Sequence, residues 1–272
     1  MHMTPPPALK PWMRKAIRAA GDAGSEADIL SSLTDLSRSH RIFAETRFEV
    51  ADQIVAHQND RAIAFPRPLH RENHRTILMG YVESIGAKYQ EDGWCEVEPG
   101  DIVVDCGGYV GGFARSVVEI AERVIVIEPA PTNYDCCLTN LAGFDQALIV
   151  QAGLFDKTGT LPLQMSRRCV DHSLLSPDRG ATGESIPVQT LRLDDLMGRV
   201  GITRLDFLKL EAEGAEIEVI EGMGAARPRK ISIDAGPERY GQSPIADLTA
   251  MLTERGYETK ARGHNLLAVL KS

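Results

Sequence analysis

From residue 97 to the C-terminus, short apolar runs alternate with stretches of helical periodicity. The runs include DIVVDC, RVIVIEP, ALIVQAGLF, RLDFLKL, KISIDAG and NLLAVLKS. Between them lie GFARSVVEIAE, PTNYDCCLTNLAG, LDDLMGRVG, AEIEVIEGM and SPIADLTAMLTERG, which read as helices. A strand buried on both faces is apolar throughout instead of alternating, and parallel strands need long crossover connections. The pattern therefore predicts an α/β chain: a mainly parallel sheet with helices on both faces. TGTLPLQMS and ESIPVQTLRL read as extended segments flanking a polar stretch. In such sheets ligands settle beyond the carboxyl ends of the strands, near the point where strand order reverses.

The grammar differs before residue 95. PPALKPWMRKAIRAAGDAG has prolines at the entry and glycine at the exit of a helix. SEADILSSLTDLSRS opens on Ser25, followed by Asp28, and spaces Ile29, Leu33 and Leu36 helically. RFEVADQIVAHQND reads as a third helix, and FPRPLHRENHRTILMGYVESIG surrounds a short apolar helix with Arg and His. The chain thus divides into an N-terminal helical segment, residues 1–95, and an α/β domain, residues 96–272. His2, in the opening Met-His-Met, is given no role.

Charge and composition narrow the functions. The formal net charge of −8 speaks against a nucleic-acid backbone as partner. No apolar run reaches the roughly 20 residues that span a bilayer, and the start carries no secretory h-region. The expectation is a cytoplasmic protein with no membrane partner. Cys95, Cys106, Cys136, Cys137 and Cys169 are odd in number and form no repeated C-x-x-C, so they read as reduced, mostly buried thiols.

The first strand of the α/β region ends in Asp105 and is followed by Gly107, Gly108, Gly111 and Gly112. Glycines there let a ligand approach the backbone closely. Tyr109 stands where a dinucleotide fingerprint would place its second glycine. A carboxylate at the mouth suits a sulfonium and an amino group better than a pyrophosphate. The next strand ends in Glu128, placed to accept hydrogen bonds from ribose hydroxyls. Together these features indicate a nucleoside ligand with a cationic or zwitterionic end; S-adenosylmethionine fits and NAD fits less well.

GDIVVDCGGYVGGFA, VIVIEPAPTNYDCCLTNL, AGLFDKTGT, LRLDDL and LDFLKLEAEGAEIEVIEGM occur in that order. In that order and spacing, residues 97–272 resemble the FkbM-type S-adenosylmethionine-dependent methyltransferases. The resemblance implies a Rossmann-like class I methyltransferase fold with a seven-stranded sheet. It implies that Asp105 and Gly107, Gly108, Tyr109 and Gly111 shape the methionine-binding loop, that Glu128 with Pro129 holds the ribose, and that Gly153, Leu154 and Phe155 edge the adenine. Gly108-Tyr109 stands where the family usually has Ala-Asn, and Glu211 where Asp is commoner.

Methyl transfer to an alcohol needs donor and acceptor aligned about 3–3.5 Å apart and a base for the hydroxyl proton. If FLKLEAEG stays extended, Lys209, Glu211 and Glu213 share one side of the strand. Glu211 and Glu213 then pair with Lys209 or Arg204, serve the acceptor as base, or join Asp234 at a divalent metal, which is not expected. Glu216 reads as a first-turn helix residue and Glu218 as a solvated face. His172, in RRCVDHSLLSP, is the leading base candidate, followed by Glu213 and Glu211. His70 and His74 sit four apart, and Arg167, Arg168, Arg71 and Arg75 are candidates to meet an acidic acceptor.

The expected activity is O-methylation of a hydroxyl on a small natural product or sugar, with S-adenosylhomocysteine as product. The alternatives are an NAD-dependent oxidoreductase and a non-catalytic scaffold of the same fold. The N-terminal helices are expected to serve as a lid or a homodimer contact.

Overall fold

In the computed structural model, residues 9–177 and 179–271 are described, and they form two compact units, one up to Lys88 and one from Tyr89. Pro5 to Pro7 and His2 lie outside the described residues.

The first unit opens with α1 (Pro11–Gly21), which has proline at its start and buries Met13, Ile17 and Ala20. Helix α2 (Glu26–Ser39) begins on a capping box: the Ser25 hydroxyl accepts from the Asp28 N–H, and the Asp28 carboxylate accepts from the Ser25 N–H. The third expected helix is a correction. Residues 46–65 form an antiparallel meander of β1 (Thr46–Val50), β2 (Ile54–Gln58) and β3 (Arg61–Phe65). Burial alternates along β2, with Ile54 and Ala56 inward, and Asn59 takes a left-handed conformation in the two-residue Asn59-Asp60 turn. The period in this segment is two, and the turn is a hairpin turn. Helices α3 (Arg71–Leu78) and α4 (Tyr81–Lys88) complete the unit.

The second unit runs β4 (Ile102–Cys106), α5 (Gly112–Val117), β5 (Arg123–Ile127), α6 (Pro131–Asn140), β6 (Ala147–Val150), β7 (Gly153–Leu154), β8 (Gly159–Ser166) and β9 (Ala181–Leu191). It continues with α7 (Leu193–Val200), β10 (Phe207–Leu210), α8 (Glu216–Glu221), β11 (Lys230–Asp234), α9 (Ile245–Glu254), β12 (Tyr257–Arg262) and β13 (Asn265–Leu270). Seven of these strands pair in the order β12-β13-β11-β10-β4-β5-β6. All neighbours are parallel except β13, which runs antiparallel to β11 and β12. This is the Rossmann-like class I methyltransferase fold. The two extended segments become β8 and β9, which join β7 in a smaller separate sheet.

β4 and β10 are buried at every position, as two covered faces require. Val104, Cys106, Leu208, Leu210, Ile231 and Ile233 meet Val219, Ile220, Leu248 and Leu252 in one hydrophobic cluster. Strand order reverses between β4 and β10. Their aligned carboxyl ends, with those of β5 and β11, bring Gly107, Glu128, Glu211 and Asp234 to one edge of the sheet. β12 was not expected: only Tyr257 is buried among its otherwise half-exposed or exposed residues, so no apolar run marks it.

Candidate active site

The turn after β4 tolerates no side chain at its first glycine. A Cβ on Gly107 would lie 1.7 Å from the Glu211 carbonyl oxygen, and its φ of +70° is left-handed. The glycine turn is therefore in backbone contact with the end of β10. A Cβ on Gly108 would stand 2.3 Å from a Val126 methyl, so this residue lets the turn sit down on β5. Gly111 is the N-cap of α5. Tyr109, half-buried, adopts φ 51°, donates its N–H to Glu128 Oε2 at 2.8 Å and places its hydroxyl 3.4 Å from Cys169 Sγ.

Asp105 is enclosed at the base of the turn. It is fully buried, its Oδ2 accepts from the Ala114 N–H at 3.1 Å, and its Oδ1 lies 3.2 Å from Lys209 Nζ. It caps the first turn of α5 from inside. Burial pushes its carboxyl above the usual range, and Lys209 opposes that shift. Lys209 is itself buried and donates to the carbonyls of Gly107 at 2.6 Å and Cys106 at 3.3 Å. Sequence reasoning treated it only as an ion-pair partner. A lysine on an otherwise apolar central strand was the available signal.

Glu128 ends β5 with its carboxylate collecting donors. Oε1 accepts from the Ala130 N–H at 2.9 Å and from Asn133 Nδ2 at 3.4 Å, and Oε2 accepts from Tyr109. Burial is the dominant influence and lifts the carboxyl to about 7. Pro129 follows it half-buried, one residue before Ala130, the N-cap of α6. Leu154 and Phe155 follow β6. Both side chains are buried and Leu154 belongs to the main core. Gly153 beside them packs under Leu174.

The acidic stretch after β10 is not extended. The strand ends at Leu210, Glu213 takes φ 49° and Gly214 φ 95°, so the alternation expected for Lys209, Glu211 and Glu213 breaks after Glu211. Glu211 pairs with Lys209 at 3.4 Å and accepts from the Tyr89 hydroxyl at 2.5 Å. Arg204 is not its partner; it pairs with Glu122 and Asp206. The Glu213 carbonyl accepts from the Ser173 hydroxyl at 2.7 Å, which ties the segment after β8 to this loop. Burial, then Glu238, Glu211, Asp171 and Glu216, pushes the Glu213 carboxyl well above its ordinary value.

Glu216 starts α8 as expected, but it is buried and accepts from the Ala212 and Gly214 N–H groups. Burial lifts it to about 7. Glu218 is not solvated: both its oxygens pair with Arg239 at 2.8 Å, and Arg239 also donates to the Gly214 carbonyl at 2.9 Å. Asp234 ends β11 at the same edge.

His172 is corrected as a base. Its Nδ1 accepts the Ser166 N–H at 3.0 Å, so the proton of the neutral ring sits on Nε2. Burial lowers its pKa, which favours the neutral ring. Arg168 pairs with Asp171 at 3.0 Å, and Arg167 is exposed. His70, His74, Arg71 and Arg75 belong to the N-terminal unit. There His70 caps α3, and buried His74 is lowered to about 4 by burial and by Arg71. Among the described residues, no group of three or more His, Cys, Asp or Glu side chains could hold a metal ion. The five thiols carry no disulfide, and all but Cys169 are buried.

The Methyltransferase FkbM domain matches residues 105–259, more than half of the chain. The chain belongs to the FkbM methyltransferase family. That membership overturns the oxidoreductase alternative. The chain is 28% identical over 193 residues to methyltransferase sdnD of Sordaria araneosa, covering 57% of this chain and 73% of that one. It is 22% identical over 204 residues to the 31-O-demethyl-FK506 methyltransferase FkbM of Streptomyces tacrolimicus, covering 64% of this chain and 78% of that one. It is also similar to the solved methyltransferase FkbM of Methylobacillus flagellatus KT, at 16% identity and a TM-score of 0.47. That match covers 73% of this chain and 53% of the solved chain. No helix among the described residues is long and apolar enough to cross a membrane.

Proposed function

We propose that this FkbM-family protein is an O-methyltransferase whose acceptor is a hydroxyl of a small natural product or sugar. S-adenosylmethionine, when bound, supplies an electrophilic methyl group on a sulfonium. The donor set fits that cofactor. A carboxylate offers about four lone-pair directions. Glu128 commits two acceptances to Oε1 and one to Oε2, which leaves Oε2 room for a ribose hydroxyl. The glycine turn supplies backbone at close range. Asp105 and Lys209 support it from inside without touching the ligand.

The observation that carries the acceptor chemistry is Glu213. A non-glycine residue in the left-handed region costs roughly 1–3 kcal/mol and persists where surrounding structure holds it. Here Ser173 holds its carbonyl, and its carboxyl sits among acids that raise its pKa. A carboxylate raised above its ordinary value is a stronger base toward an alcohol proton. Glu213 takes the hydroxyl proton as the acceptor oxygen bonds the methyl carbon and the sulfonium S–C bond breaks, which leaves neutral S-adenosylhomocysteine. The similarity to a relative named for acting at an oxygen supports the choice of a hydroxyl acceptor.

The test is incubation with isotopically labelled S-adenosylmethionine and a panel of hydroxylated small molecules, read by mass spectrometry. The expected result is a labelled methyl gain on an oxygen, absent with Glu213→Gln. The base works ionised, so turnover rises with pH through the raised Glu213 titration. Binding of S-adenosylhomocysteine with no product across the panel would favour the non-catalytic scaffold.

A further inference from the structure

Tyr89 lies outside the matched residues 105–259, yet it touches both members of the ion pair beneath the glycine turn. It is buried, with its ring 5.7 Å from that of Phe113 in an edge arrangement. Its hydroxyl donates to Glu211 Oε2 at 2.5 Å, and Lys209 Nζ stands 5.0 Å from the centre of its ring. An ammonium has three N–H donors. The oxygens around Lys209 Nζ include the carbonyls of Gly107 at 2.6 Å and Cys106 at 3.3 Å, Asp105 Oδ1 at 3.2 Å and Glu211 Oε2 at 3.4 Å. Glu211 is the most distant of the four, and its side chain is 27% exposed, so water competes for it. The Tyr89 hydroxyl grips that carboxylate from the buried side.

We propose that Tyr89 is a positioning residue for the cofactor loop: by holding Glu211 against Lys209, it keeps the ammonium on the Cys106 and Gly107 carbonyls and so sets the shape of the glycine turn. This rests on the turn being the cofactor site. Tyr89→Phe keeps the ring against Phe113 and Lys209 and removes only the hydroxyl. Glu211→Gln keeps an acceptor for Tyr89 and removes the charge.

S-adenosylhomocysteine is titrated by calorimetry into the wild type, both single variants and the double variant. Each single variant is expected to lose roughly tenfold in affinity, the scale of one hydrogen bond to a charged group. The double variant is expected to lose no more than the worse single, because both changes break one linkage. Acidification gives a second readout. Glu211 faces Lys209 on β10, Asp105 at the end of β4 and Glu213 on its own loop, and Asp234 at the end of β11 faces Tyr89. Removing a donor disfavours the ionised carboxylate, so Tyr89→Phe loses affinity at a higher pH than the wild type does. The Glu128 limb is common to both proteins and cancels in the comparison. Additive losses, or wild-type affinity in Tyr89→Phe, would overturn the proposal. Amide exchange at Gly107 and Gly108, which both donate to the Ile127 carbonyl, tests it without a ligand. Faster exchange in Tyr89→Phe supports it, and unchanged exchange contradicts it. If Tyr89→Phe does not fold, Glu211→Gln decides: full affinity and unchanged exchange sink the proposal. A wild type that fails to bind S-adenosylhomocysteine counts against the cofactor reading instead, and the exchange experiment still judges Tyr89.

Discussion

Gly107 is the position least tolerant of a side chain. Gly107→Ala drives a methyl into the Glu211 carbonyl and demands a left-handed alanine, so the turn must move. The expected cost is about 2–4 kcal/mol in unfolding free energy, with loss of S-adenosylhomocysteine binding. Denaturant titration and calorimetry measure the two. The two candidate bases separate more finely. His172→Asn keeps an acceptor for the Ser166 N–H and is expected to hold turnover within about threefold. Glu213→Gln is expected to lower it about a hundredfold or more, the usual scale for removing a general base. The bond that demotes His172 comes from a residue six positions earlier, folded back by the irregular end of β8. Nothing in RRCVDHSLLSP marks which ring nitrogen is engaged.

At the scale of elements, the loop between β10 and α8 is held by acids that act on backbone. Glu216 satisfies the Ala212 and Gly214 N–H groups, and Arg239, fixed by Glu218, satisfies the Gly214 carbonyl. Glu218→Gln is expected to cost about 1 kcal/mol and to speed amide exchange in residues 212–216, in contrast to a solvated surface glutamate. The parallel strands were legible because burial on both faces leaves only apolar residues there. The same logic hid β12, whose polar residues suit a half-covered edge, and misassigned β1 and β2, where Phe48, Ala51 and Val55 fall at helical spacing. The Glu218–Arg239 pair and the Tyr89–Glu211 bond join residues 21 and 122 positions apart, and no local pattern announces them. The glycine turn and Glu128 were legible because strand-end placement follows from the sheet itself.

Across the whole molecule, buried carboxyls set the pH dependence of stability. Glu128 and Glu216 titrate near 7 when folded, against about 4.3 unfolded. Between these values the folded state binds more protons, so stability falls as pH rises from about 4.5 to 7. The unliganded protein is expected to melt at a higher temperature at pH 5.5 than at pH 8, and Glu216→Gln to flatten that slope. Ligand binding is expected to carry the opposite sign, because the proposed ribose contact needs Glu128 ionised. The measurement that bears most directly on the central claim is therefore calorimetric titration of S-adenosylhomocysteine into the wild type and Glu128→Ala at pH 8. The predicted result is one saturable site in the wild type and at least about tenfold weaker binding in the variant, the scale of a lost charged hydrogen bond. Equal binding by the two proteins, or no binding by the wild type, would contradict it.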